Sequence, residues 1–298
     1  MAEIATAASV TVKKTVNKEK TFLVIINRLL KNKLAVIGII IIALQIGMAI
    51  FAPLITSYDP VKQNLEASEL PVFREGHWLG TDNYGRDVWS RIVFGARISL
   101  VVGIVAVTLG LVGGILLGLL GGYYKKLDGV IMRIVDLLFS FPGILLAMLI
   151  IAILGTSLIN VAIAISIWSI PTCARIVRGS VLSIKEKEYI MAMKSLGASD
   201  FRIMVKHILP NAFAPIIVFA TMRMATAILS TASLSYLGLG AQPPTPEWGA
   251  MISQGQAFMW SSPHLTIVPG IAIMLTVFAF NVVGDGLRDA IDPNMDIQ

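Results

Sequence analysis

Apolar runs long enough to cross a bilayer alternate with polar segments along most of the chain. A spanning helix needs about 20 mostly apolar residues, and residues 34–55 are the first run to qualify. Residues 98–124 form a second, uncharged run, closed by Lys125 and Lys126. Residues 130–154 form a third, with Arg133 and Asp136 in its opening turns, and residues 157–174 a shorter fourth. Residues 212–236, interrupted by Arg223, and residues 266–283 complete the set. Turn signals mark the intervening segment 56–97 at YDP, ELP and GTDNYG. Residues 175–211 are polar, residues 237–265 are Pro-rich with Trp248 and Trp260, and residues 284–298 end the chain. The pattern predicts an all-α, polytopic membrane protein with six transmembrane helices.

Composition agrees: 56% of residues are hydrophobic and only 14% charged, with mean hydropathy +0.79, whereas soluble domains run near a quarter charged. The net charge of +6 raises a nucleic-acid reading, but its distribution favours a membrane face. With both termini inside, the cytoplasmic pieces hold 18 of the 24 Lys and Arg residues, and the segment 237–265 holds none. The positive-inside bias therefore predicts N-in, C-in and no nucleic-acid partner. Residues 1–33 read as a cytoplasmic tail, weakly ordered to about Glu19, then a basic amphipathic helix along the inner surface, with no cleavable signal peptide.

Candidate chemistry is sparse. No phosphate-cradling G-x-x-x-x-G-K-[ST] occurs, so this chain is not expected to hydrolyse ATP. Neither G-x-S-x-G nor H-E-x-x-H occurs. Asp136 and Asp285, the candidates for an intramembrane protease, lie near span ends where an acid is structurally tolerable. Cys173 is the single cysteine, and His77, His207 and His264 lack zinc-type spacing, so neither a metal site nor a catalytic residue is expected.

Gly110, Gly114, Gly118 and Gly122 make a small-residue stripe down one helix face. Such stripes let helices approach closely, either within the chain or against a partner subunit. Pro142 and Pro171 are expected to kink their spans. Arg223 lies about 16 Å into its span, near mid-bilayer, where a charge normally faces a cavity or a partner. A ligand carboxylate, another intramembrane acid, Asp136 and an acid on a partner subunit are the candidate counter-charges.

The polar segment between the fourth and fifth spans, EYIMAMKSLGASDFRIMVKHILPN, has good helix formers before Gly197 and after Ser199 or Asp200. Gly197 suits a left-handed C-cap, and Pro210 is expected to stop the second helix. At 37 residues the segment is long for a mere connection. Tyr189, Ala192, Met193, Leu196, Phe201 and Met204 are expected to face outward, which implies a docking partner.

This stretch resembles the coupling-loop signature, the EAA motif, of binding-protein-dependent ABC importer permeases. HWLGTDNYGRDVWSRIVFGARISL, LGLGAQPPTPEWGAMI and AFNVVGDGLRDAIDP resemble the C-type permease subunit of dipeptide, oligopeptide and nickel importers. The resemblance covers roughly residues 77–293. It implies a type I ABC importer permease architecture with a cytoplasmic coupling helix in a bacterial inner or plasma membrane. It also implies a second homologous permease, two ATPase subunits that hold the ATP and Mg, and an extracytoplasmic substrate-binding protein. Ala192 and Gly197 fall on the motif's central Ala and its Gly, with Leu196 and Ala198 flanking the turn. The Glu that names the motif is Met191 here, and its second Ala is Met193. An ionic contact from that Glu is therefore absent, and packing by Met takes its place, with Glu188 and Tyr189 beside it. Asp82, Arg86 and Asp87 form either a salt-bridged cap or an outer gate and binding-protein face. The alternative from another class, a stand-alone ion-coupled secondary transporter, predicts two related halves, and none is evident.

Overall fold

The computed structural model describes residues 18–74 and 76–291. Residues 1–17 of the expected tail and residues 292–298 of the expected C-terminal segment lie outside these. The described chain is helical, joined by turns and two isolated bridges. Helix α1 covers Lys18–Lys31 and α2 covers Lys33–Ile55. Asn32 separates them because its side chain accepts from the Leu34 and Ala35 amides, capping α2.

Helix α3, Val88–Tyr123, begins ten residues before the apolar run. The Asp87 carboxylate accepts from the Ser90 amide at 2.7 Å and starts the helix there. At 36 residues it is about 54 Å long, far beyond the roughly 30 Å hydrocarbon core, so its first turns stand in a cap outside the bilayer. Trp248 fastens that cap: it is 1% exposed, donates its indole N–H to the Ile92 carbonyl at 3.1 Å and lies against Gly95. Trp248 is thus a core residue, while Trp260 is 98% exposed.

The expected third span is two helices, α4 (Lys125–Phe139) and α5 (Gly143–Leu154), bent by 91° at the break. Pro142 sits at the N-cap of α5 rather than inside a kinked helix. Five helices are long and apolar enough to cross a membrane, or up to six if the bent pair counts as one span.

Helix α6, Leu158–Lys185, runs straight on past residue 174 with Pro171 buried inside it, so the first eleven residues of the expected loop are helix. The glycine stripe of α3 packs on α6 of the same chain. A Cβ at Gly110, Gly114, Gly118 or Gly122 would overlap Ser169, Cys173, Val177 or Val181 in turn.

A short helix α7, Glu188–Ser195, is followed by α8, Asp200–Ile203, which runs through a π-turn at Met204–Ile208 into α9, Leu209–Tyr236. Pro210 does not stop the helix. The π-turn shifts the hydrogen-bond register beside it, where an α-helix would need the amide that proline lacks. Helix α10, Trp248–Gly255, lies in the cap, and α11, His264–Ile291, is one continuous helix. The expected break after residue 283 is absent: Gly284 and Gly286 are buried against Met222 and Ala35, letting α11 pack closely on α9 and α2. Apolar side chains such as Leu44, Ile50, Leu145, Leu149 and Ile153 remain exposed. In lipid, apolar exposure carries no penalty and is the normal outer face of a bundle.

Candidate coupling and translocation sites

At the α7 end of the bundle a compact knob projects from the helices. Helix α7 ends in a Schellman turn: Ala198 N–H donates to the Met193 carbonyl at 3.1 Å and Gly197 N–H to the Lys194 carbonyl at 3.0 Å. Gly197 has φ +81° with open space where a Cβ would stand, so backbone conformation alone demands glycine there. The Ser199 hydroxyl then caps α8 at the Arg202 amide. Glu188, Tyr189, Ala192, Leu196 and Gly197 are exposed, Leu196 at 86% and Phe201 at 71%. Met193 and Ala198 are half-buried and Met204 is buried. Those two methionines therefore do not both project as expected. The inner face of the knob packs with Ile190, Ile203 and Ile208 against Val177 and Val181.

Polar ties fasten the knob to α3 and join the neighbouring ends of α3, α4 and α6. Tyr123 donates its hydroxyl to Asp200 at 2.6 Å, joining the end of α3 to the start of α8. The Arg178 guanidinium grips Asp128 of α4 through two hydrogen bonds of 2.6 Å. Lys185 donates to the Gly122 carbonyl at 2.8 Å. Sequence spacing gave no signal for these pairs, because their partners are 50 to 77 residues apart.

Deep in α9, the Arg223 guanidinium lies over the Trp168 ring of α6 at 4.7 Å. Its Nε and Nη2 are buried and have no hydrogen-bond partner. Asp136 is not its counter-charge. Asp136 bonds Arg175 at 2.7 Å, and Asp128 is taken by Arg178. Met222, the preceding residue, lines a cleft of about 530 Å³ between α6, α9 and α11, together with Ile176, Pro215, Phe219 and Arg288. Arg288 is exposed and has no ion pair among the described residues.

At the opposite end, the charged residues of the cap turn inward. Asp82, Arg86, Asp87 and Arg91 are all buried. Arg86 donates through Nε to Asp82 at 2.7 Å and through Nη2 to Gln254 of α10 at 2.9 Å. Arg91 donates to the Pro60 and Pro244 carbonyls at 3.0 and 3.2 Å. His77 Nδ1 meets Asp87 at 2.9 Å. The carboxylates and guanidinium groups knit segment 56–87 to α10 and the start of α3, and they do not present a charged surface. Glu247, at the N-cap of α10, is also buried and accepts from the Ala250 amide at 2.9 Å. Burial pushes its carboxyl above the usual carboxylate range, against the backbone hydrogen bonds that lower it.

Comparison with known proteins settles the kinship. A family described as binding-protein-dependent transport system inner membrane component matches residues 110–297, and the N-terminal TM domain of oligopeptide transport permease C matches residues 22–71. The chain belongs to the binding-protein-dependent transport permease family. It is 52% identical over 269 residues to the dipeptide transport system permease protein DppC of Alkalihalophilus pseudofirmus, covering 90% of this chain and 88% of that one. It is 48% identical over 273 residues to the glutathione transport system permease protein GsiD of Pectobacterium atrosepticum, covering 90% and 89%. A structure of the methionine ABC transporter MetNI in an inward-facing conformation shares the fold, with TM-score 0.57 and 22% identity, covering 69% of this chain and 98% of that one. The chain is therefore a multi-pass bacterial inner-membrane permease of the ABC importer type, which replaces the stand-alone secondary transporter alternative.

Proposed function

We propose that this chain forms half of the translocation path of an ATP-driven importer of di- or oligopeptides or a related small solute such as glutathione or a nickel chelate. It is non-catalytic. Its partners are a second, homologous permease, two ATPase subunits that hold ATP and Mg, and an extracytoplasmic binding protein. Both termini face the cytoplasm, as the charge distribution requires. The observation that carries the reading is the knob at Glu188, Tyr189, Ala192, Met193, Leu196, Gly197 and Ala198. It pairs an exposed apolar tip with an inner face that is hydrogen-bonded to α3 through Tyr123 and Asp200 and packed on Val177 and Val181 of α6. A loop that only connects two helices has no use for both features.

In operation, the tip docks in a surface cleft of one ATPase subunit. Closure of the ATPase pair displaces the tip; the Tyr123–Asp200 tie passes the displacement to α3, the packing on Val177 and Val181 passes it to α6, and Arg178–Asp128 links α6 to α4. ATP then biases the permease toward its outward-open state, and hydrolysis reverses the bias. Arg223 lines the path. Asp82, Arg86 and Asp87 act by holding the shape of the cap that the binding protein meets, since all three are buried.

Mild-detergent purification of the tagged chain, expressed with its neighbouring genes, tests this. Recovery of a second permease and two ATPases with vanadate-sensitive ATP hydrolysis supports it, with the ATPases or their activity lost in Gly197→Asp. A chain that purifies alone under several gentle detergents contradicts it.

A further inference from the structure

Arg223 has a cost and no visible return within this chain. A charge near mid-bilayer is unfavourable by at least about 2.5 kcal/mol on insertion scales. Two of its three guanidinium nitrogens are buried and unpartnered, and the acids of α4, Asp136 and Asp128, are bonded to Arg175 and Arg178. What the side chain does have is a shelf. Trp168 supports the face of the guanidinium at 4.7 Å, which leaves its N–H edge as the hydrogen-bonding side. The ring is itself fixed from below by Gly143, the first residue of α5 after the sharp break, where a Cβ would overlap the indole. Three helices thus hold one planar cation in a set orientation.

Resting on the importer reading above, we propose that Arg223 on its Trp168 shelf is a carboxylate subsite of the path, taking the terminal carboxylate of a permeating peptide. A planar fork of N–H groups matches a carboxylate in a way that a point charge does not. The setting favours a mobile carboxylate over a fixed one. The preceding residue, Met222, lines a cleft of about 530 Å³ whose lining holds no acid and includes Arg288, which has no ion pair among the described residues.

The test uses the complete complex in proteoliposomes with saturating loaded binding protein. The probes are radiolabelled alanine di- and tripeptides, each as free acid and as C-terminal amide. In Arg223→Gln, uptake of the acids falls about ten- to hundredfold, the size of one lost charge-assisted hydrogen bond. The acid-to-amide uptake ratio falls by that factor while peptide affinity of the separate binding protein is unchanged, and Arg223→Lys retains part of the acid preference. Should Arg223→Gln not assemble, Trp168→Ala gives the same reading, since loss of the shelf lowers the acid-to-amide ratio. An unchanged ratio in these variants overturns the proposal. So does rescue of Arg223→Gln by neutralising an acid on the partner permease, which would make Arg223 half of a fixed inter-subunit ion pair. Absence of ATP-driven uptake by the wild type, for every probe, would instead overturn the di- and oligopeptide part of the importer reading and is seen before any variant is compared.

Discussion

Individual side chains here divide by whether they act on the fold or beyond it. Leu196 has no burial to lose, so Leu196→Asp leaves the melting temperature of the detergent-solubilised chain unchanged within about 0.5 kcal/mol. The same change abolishes co-purification of the ATPases, as a pull-down would show. Arg86 is the opposite case. Arg86→Ala leaves Asp82 buried beside Arg91 alone and costs about 3 kcal/mol in a thermal-melt assay, because breaking a buried pair strands the remaining charge. Glu247 adds a pH dependence. Its carboxyl is held above its unfolded-state value, so the folded state binds the extra proton. That contribution is complete below the ordinary carboxylate range and fades as pH rises through it and beyond. Melting temperature is therefore expected to fall as pH rises above the ordinary carboxylate range in the wild type and to stay flatter in Glu247→Gln, measured side by side.

Helices carry the next level. The α3–α6 seam depends on backbone proximity: Gly114→Val overlaps Cys173 and costs about 1–3 kcal/mol of overpacking, readable as a lowered melting temperature. Gly129→Ala in α4, with open space around it, is the control and stabilises by up to about 1 kcal/mol. Helix ends were the part the sequence hid. Residues 88–97 contain Arg91 and Arg97 and read as polar loop, yet Asp87 caps them into α3 and Trp248 buries them. Pro142 was visible as an interruption, but not as a 91° break, since hydropathy reports a continuous run on both sides of it. Pro210 misled because a π-turn can absorb a proline. The Schellman turn at Gly197 was legible, because its geometry is local and its residues adjacent.

For the whole molecule, hydropathy made the membrane class plain, and the motif-length resemblances matched the family that the comparisons returned. The internal pairing of the cap was not legible: Arg86 meets Gln254 across 168 residues and Arg91 meets Pro244 across 153, and no short-range pattern announces such pairs. The same holds for the shelf under Arg223, whose partner proved to be an aromatic face rather than the acid its charge suggested. The central claim joins the two ends of the bundle into one machine: ATPases engage the Leu196 tip, and the Trp260 side faces the binding protein. The most direct measurement places a photo-crosslinking amino acid at position 196 or position 260 of the assembled complex in its native membrane. Crosslinks from 196 to an ATPase subunit, with none to an ATPase from 260, are the predicted result. An ATPase captured from 260, or an extracytoplasmic protein captured from 196, would contradict both the orientation and the docking site.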